Sequence, residues 1–166
     1  MFYFVVRYFR WLARVPGFPH LFDAMLLSHT FLFRRKVVTA MEKLESEELR
    51  LPGTSLRVHR LGGIEFINEA GRELGHLHGH GLLDVALDRA TGRSLLAAGR
   101  VREHHVFPDS RWVSFQIESE LDVAFALELL KMANDRMEQT ALAGRQSSAA
   151  ALNPCMPRAC GGSEID

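Results

Sequence analysis

A chain of 166 residues is long enough for one domain with short extensions and too short for two large domains. Residues 1–63 carry ten basic and five acidic side chains, whereas residues 64–166 carry ten and fifteen. The acidic balance of the second part argues against nucleic acid as its main partner, because phosphate binding needs a basic face. The basic first part leaves room for contact with an anionic membrane surface.

An apolar helix over residues 2–14, ended by Pro16, is the first element that the sequence predicts. Arg7, Arg10 and Arg14 fall on one face of this helix, and the rest is rich in aromatic residues. We expect the helix either to lie in a membrane interface or to pack against the domain. The arginines interrupt the apolar run, so neither a signal peptide nor a membrane-spanning helix is predicted.

Two further helices are predicted over residues 21–33 and 34–49, before the turn at residues 51–53. Short alternating strands joined by glycine turns then follow at 55–61, 64–68 and 72–79. Residues 82–88 are predicted to form either a further strand or an extension of the preceding one. A helix over 89–98, strands over 101–107 and 111–117, and a helix from Ser119 to about residue 140 complete the prediction. The sequence therefore predicts an α+β fold, an antiparallel sheet of about five strands in the order βββ-α-ββ-α with flanking helices, preceded by N-terminal helices.

The pattern divides the chain into three parts. These are an apolar and basic helical extension at 1–45, an α+β domain at 46–140 and a disordered tail at 141–166. The two cysteines, Cys155 and Cys160, lie in the tail, so no disulfide framework is predicted. We expect a cytoplasmic protein, either free or attached peripherally to a membrane through residues 1–15. The sequence leaves the oligomeric state open.

The densest polar cluster is the run ELGHLHGH at residues 73–80. Residues two apart on a strand share a face, so His76 and His78 are predicted to point the same way. This His-x-His pair suits zinc, iron or copper, with Asp84 and Glu73 as further ligands or as groups that orient the imidazoles. On a straight strand Glu73 faces away from His76. The run is therefore a metal site, a metal-free catalytic or ligand pocket, or a solvated face without a function.

A second histidine pair, His104 and His105, follows the predicted small helix. Adjacent strand residues face opposite ways, so we expect only one of the two to join the first cluster, as a general acid or base. Trp112 and Phe115 also face opposite ways by their spacing, and each belongs either to the core or to the wall of an aromatic pocket. No glycine-rich phosphate loop and no G-x-S-x-G motif occurs, which argues against nucleotide-dependent and serine-hydrolase chemistry.

Together these motifs resemble the luciferase-domain family, which contains fungal luciferases and many bacterial and fungal proteins of uncharacterised activity. The resemblance covers about residues 46–135. The positions that match the family's motifs are Glu73, His76 and His78 in an E-x-x-H-x-H strand, His104 after the small helix and Trp112 at the start of the next strand. The residues His80, Asp84 and His105 match less closely.

For the fungal members, the resemblance implies O2-dependent oxidation of a hydroxypyranone without a known prosthetic group. For this chain it implies a small-molecule-binding domain or an oxygenase-like enzyme, that is, an oxidoreductase. The implied site residues are His76, His78 and His104 as catalytic groups and Glu73, Asp84, His105 and Trp112 around the substrate. The cofactor is left open between none and a divalent metal on His76 and His78. The alternative is a non-catalytic interaction module for protein or, less readily, nucleic acid, since the strand order also resembles double-wing DNA-binding-like domains.

Overall fold

A computed structural model describes residue 15 and residues 17–60 and 62–151, with side chains up to residue 145. The helix predicted over residues 2–14 and the part of the predicted disordered tail beyond residue 151 lie outside these described residues. Both therefore stay predictions.

Two helices begin the described part, α1 over Phe18–Phe33 and α2 over Arg35–Glu48, close to the predicted bounds. The second helix buries residues three and four apart along one face, as an amphipathic helix should. The first helix instead leaves large apolar side chains exposed, with 69% exposure at Leu21, 66% at Leu32 and 73% at Phe33. Among the described residues, no helix combines the length and the hydropathy needed to cross a bilayer.

Six strands form one antiparallel sheet in the order β1-β2-β3-β4-β6-β5. Their bounds are β1 Ser55–Val58, β2 Ile64–Ile67, β3 Glu73–Leu77, β4 Leu82–Ala86, β5 Arg102–Glu103 and β6 Trp112–Gln116. Helix α3, Arg89–Ala97, lies between β4 and β5 in the chain, and Asp88 caps its first turn. The predicted α+β class is confirmed.

Strand β4 is a central strand, whereas the sequence left residues 82–88 open between a strand and an extension. It pairs with β3 on one side and β6 on the other, and all five of its residues are buried. A strand covered on both faces loses the alternation that marks a half-exposed strand, which explains the ambiguity. The sheet consequently has six strands, and four of them precede α3.

The last helix begins at the capping box that the sequence predicted, Ser119 with Asp122. A 3-10 turn over Glu120–Asp122 leads into α4, Val123–Ala151. The helix was expected to end near residue 140, but residues 141–151 are helical instead of belonging to a disordered tail. Their sequence is rich in alanine, the best helix former, which favours this continuation.

Candidate functional site

One face of the sheet packs against helix α4, and the other face carries a cluster of polar side chains. Gly75 on β3 faces α4, because a Cβ added there would lie 3.2 Å from Leu130 Cδ2. Phe115 on β6 also faces α4, and its ring lies 5.0 Å from that of Phe125, centroid to centroid. Alternation along the strands turns the neighbouring residues to the opposite face, where His76 and the other polar side chains gather.

Asp84, on the central strand β4, is the centre of this polar cluster and has 0% of its surface exposed. The strand register places it opposite His76 on β3 and opposite Ser114 on β6. Its Oδ1 accepts a hydrogen bond from the hydroxyl group of Ser114. Because the three strands are neighbours in one hydrogen-bonded sheet, the backbone holds these three side chains side by side.

Four imidazole nitrogens surround the other carboxylate oxygen, Asp84 Oδ2. The distances to Oδ2 are 3.1 Å from His78 Nε2 and 3.4 Å from His76 Nε2. They are 3.6 Å from both His104 Nε2 and His105 Nδ1. The structure thus brings the three histidines that the sequence singled out to one oxygen atom, together with Asp84 and His105.

The titratable residues of the cluster have pKa values shifted in different directions. Burial raises the pKa of Asp84, but hydrogen bonds from His76 and His78 lower it by a larger amount. The pKa of Asp84 is therefore well below its usual value, and the group is ionised. Burial lowers the pKa of His76, whereas hydrogen bonds to Asp84 and Glu73 and their charges raise it to about 9. Burial also lowers the pKa of His105, to about 4. At neutral pH a charged and a neutral imidazole therefore face the same carboxylate.

Glu73 belongs to the cluster, and the expectation that it faces away from His76 is wrong. Its Oε1 lies 2.6 Å from His76 Nδ1. Consecutive residues of β2 pair with Gly75 and then Glu73, so Leu74 is an extra residue in the ladder. Such a bulge reverses the alternation on one side of it, which turns Glu73 to the face of His76.

His104 and His105 both approach Asp84, although only one of the pair was expected to do so. Strand β5 ends at Glu103, so neither histidine lies in a strand and the rule of alternation does not apply. The backbone N–H groups of 106–107 both donate to His104 Nδ1, at 3.1 Å. This leaves Nε2 of neutral His104 as the N–H donor that faces Asp84.

Three further residues complete the surroundings, and the sequence reasoning did not select them: Asp23, His59 and Ser114. The ring of His59 stacks on that of His76, with centroids 4.2 Å apart and an angle of 5° between the planes. Asp23 Oδ1 lies 3.9 Å from His78 Nδ1. Only Ser114 had a signal in the sequence, since it shares a strand face with the tryptophan two residues earlier.

Two aromatic side chains border the cluster. Trp112 is half-buried, and its ring centroid lies 5.3 Å from that of His76 and 6.1 Å from that of His104. Phe107 is 57% exposed and stacks on His104 with centroids 5.6 Å apart. A flat ligand that reaches the histidines from this side would meet both rings. Phe115 lies on the opposite face, as its spacing from Trp112 predicted.

Within the described residues, three groups bring three ligand atoms within 4.8 Å of one another: His59, Glu73 and His76; His76, His78 and Asp84; and Asp84, His104 and His105. Imidazole and carboxylate are the ligands that zinc and iron take in proteins. The second and third groups have Asp84 in common. The cluster therefore has the donor atoms for metal binding as well as for acid–base chemistry.

Residues 71–133 match the family model described as the luciferase domain. The match spans β3 to β6 and includes Asp84, Glu73 and the histidines around them, whereas Asp23 and His59 precede it. It confirms the resemblance that the histidine motifs predicted. No curated protein and no solved structure matches the chain.

Proposed function

We propose that this chain, which carries a luciferase domain at residues 71–133, is a small-molecule enzyme with oxygenase-like chemistry and that the cluster around Asp84 is its active site. The observation that supports this most strongly is a fully buried carboxylate whose Oδ2 has four imidazole nitrogens at 3.1–3.6 Å. Titratable groups with opposed pKa shifts in one place are typical of catalytic centres.

The chemistry follows from the protonation states. His105 is neutral near pH 7 and can accept a proton, while the Nε2–H of His104 can donate a hydrogen bond to an oxygen that becomes negative. A hydroxyl group on a flat, electron-rich ring would lose its proton here. The resulting anion is the form of such a ring that O2 oxidises most readily. The positive charge beside Asp84 would stabilise that anion.

The substrate class follows from the borders of the cluster. The rings of Trp112 and Phe107 offer flat apolar surfaces next to the histidines, and aromatic rings stack on such surfaces at centroid distances of about 4.5–7 Å. A flat ring with at least one acidic hydroxyl group satisfies both the apolar borders and the polar centre. Hydroxylated aromatic rings and hydroxypyranones fit this description.

The test is a ligand screen followed by an oxygen electrode. The full chain is incubated with hydroxylated aromatic compounds and hydroxypyranones, thermal shifts identify binders, and O2 consumption is measured with each binder. His105→Ala should lower turnover by on the order of 10²–10⁴, the usual contribution of a general base. His20→Ala is the matched control, because His20 is exposed on α1.

Two outcomes would contradict the proposal. One is that no compound of this class binds the folded chain. The other is that His105→Ala and His104→Ala, with unchanged melting temperatures, consume O2 with a binder as fast as the wild type does.

A further inference from the structure

We infer that His76, His78 and Asp84 bind one divalent transition-metal ion, and that the ion is iron(II). Two histidines and one carboxylate with open coordination positions form the ligand set of non-haem iron oxygenases. The choice of iron rests on the proposed oxygenase-like function, whereas the ligand set rests on geometry alone. Metal binding can therefore be tested without any substrate.

Both histidine nitrogens have the separation from the carboxylate oxygen that one shared ion requires. His78 Nε2 and His76 Nε2 lie 3.1 and 3.4 Å from Asp84 Oδ2, and the three atoms lie within 4.8 Å of one another. Two atoms that each lie about 2.1 Å from an ion, at tetrahedral or octahedral angles, are about 3.0–3.4 Å apart. Hydrogen bonds span the same range, so the discriminating observation concerns the other nitrogen of the His76 ring.

The other nitrogen of each ring lies near a carboxylate, but only that of His76 is within hydrogen-bond distance. His76 Nδ1 lies 2.6 Å from Glu73 Oε1, and His78 Nδ1 lies 3.9 Å from Asp23 Oδ1. A histidine that binds a metal usually donates its remaining N–H to a carboxylate, which orients the ring and makes the ligating nitrogen more basic. Without a metal, His76 and His78 hydrogen-bond Asp84 Oδ2 through Nε2. An ion would displace the hydrogens from these Nε2 atoms, while His76 Nδ1 keeps its hydrogen toward Glu73. The fully buried Asp84 would then keep a positive partner whether the site holds protons or a metal ion.

The second group of three, Asp84 with His104 and His105, lacks this property. His104 Nδ1 accepts two backbone N–H groups, so its Nε2 carries the hydrogen and has no lone pair for a metal. His104 therefore directs an N–H group, and not a lone pair, toward Asp84 at 3.6 Å and is not a ligand. His76 lies in β3, and His78 directly follows the strand, where its backbone N–H donates to the carbonyl oxygen of Leu82 on β4. The other two histidines lie beyond the end of β5.

The remaining group, His59 with Glu73 and His76, is also a weaker candidate. Its carboxylate already accepts the Nδ1–H of His76 at 2.6 Å. An ion there would take the orienting group away from His76. Three protein ligands at the Asp84 group leave coordination positions open for small molecules, as catalytic metal sites require.

The experiment measures metal binding by the full chain. The protein is treated with a chelator and dialysed, and iron(II) is then added without oxygen, with zinc(II) and cobalt(II) in parallel samples. Calorimetry and elemental analysis should give one ion per chain, and cobalt(II) should give a visible spectrum in which imidazole and carboxylate are ligands. His78→Ala and Asp84→Asn should each weaken binding at least 100-fold. Glu73→Gln, which changes no ligand, should weaken it about 10–100-fold.

Two control variants define the site. His20→Ala should bind the metal as the wild type does, and so should His104→Ala, because His104 is not a ligand. An equal loss of binding in His104→Ala and His78→Ala would overturn the assigned ligand set. Wild-type protein that binds no more than a stray amount of any of the three ions would overturn the metal site itself.

The experiments distinguish a failure of the proposed metal site from a failure of the proposed oxygenase-like function. If the chelator-treated chain binds no metal but oxidises a ring compound, the metal site fails and the oxygenase-like function stands. If one ion binds with the expected losses in the variants but no compound is turned over, the site stands and the function fails. Where Asp84→Asn does not fold, Glu73→Gln and His78→Ala decide the outcome.

Discussion

Glu48 should make the stability of this domain depend on pH. It lies at the end of α2 with 1% of its surface exposed, and its Oε2 has no hydrogen-bond partner among the described residues. Burial raises the pKa of Glu48 from 4.5 to about 7. The folded chain then holds this proton more tightly than the unfolded chain does. The free energy of unfolding therefore falls as pH rises from 4.5 to about 7.

The difference between a pKa of 4.5 in the unfolded chain and about 7 in the folded chain corresponds to a loss of about 3 kcal/mol in the free energy of unfolding. This loss is absent below pH 4.5 and complete above about pH 7. Glu48→Gln removes the charge and should be more stable than the wild type by up to about 3 kcal/mol at high pH. Below pH 4.5, where the native glutamate is also neutral, the two proteins should be similar.

Urea unfolding at a series of pH values measures this difference. Glu42→Gln is the matched control, because Glu42 is exposed on the same helix. Subtracting the wild-type curve removes the titration of the histidines, which all the proteins share. A gap between Glu48→Gln and the wild type that stays constant from about pH 4 to 8 would refute the reasoning.

Three further predictions concern the site and the first helix. Ser114→Ala removes the donor to the buried Asp84 Oδ1 and should cost about 1–3 kcal/mol in urea unfolding; no loss would contradict the hydrogen bond. Gly75→Ala places a Cβ 2.6 Å from a backbone oxygen of β4 and should cost about 1–3 kcal/mol, whereas Gly144→Ala on α4 meets nothing and should be neutral or stabilising. We also propose that exposed apolar side chains of α1 attach the chain to anionic liposomes; equal sedimentation with and without residues 1–33 would contradict this.

Short-range patterns explain what the sequence predicted well. The His-x-His spacing correctly predicted that His76 and His78 point the same way, although β3 ends at Leu77. The capping box at Ser119 marked the start of the last helix. Both signals depend on residues within a few positions of one another. The spacing of Trp112 and Phe115 likewise separated the site face from the core face, because the strand between them is regular.

Long-range geometry explains what the sequence reasoning missed. Glu73 joins the cluster only because of a bulge, whose position depends on how β2 pairs with β3. His105 reaches Asp84 because β5 stops after two residues, and no local motif marks that end. Asp23 comes from a helix about fifty residues earlier, and only packing brings it to His78. The periodicity of a sequence carries no information about contacts between residues that are far apart in the chain.

These irregularities all occur in one place, and this supports a function there. Asp84 is a buried charge in a strand whose other members are apolar, and such a charge costs several kcal/mol unless partners offset it. The bulge at Leu74 and the early end of β5 break regular pairing on either side of it. An apolar residue at position 84 with regular strands around it would give a more stable sheet. The buried charge, the bulge and the early end of β5 all lie around Asp84. Such departures from regular structure are expected at a functional site, where a protein accepts lower stability in exchange for activity.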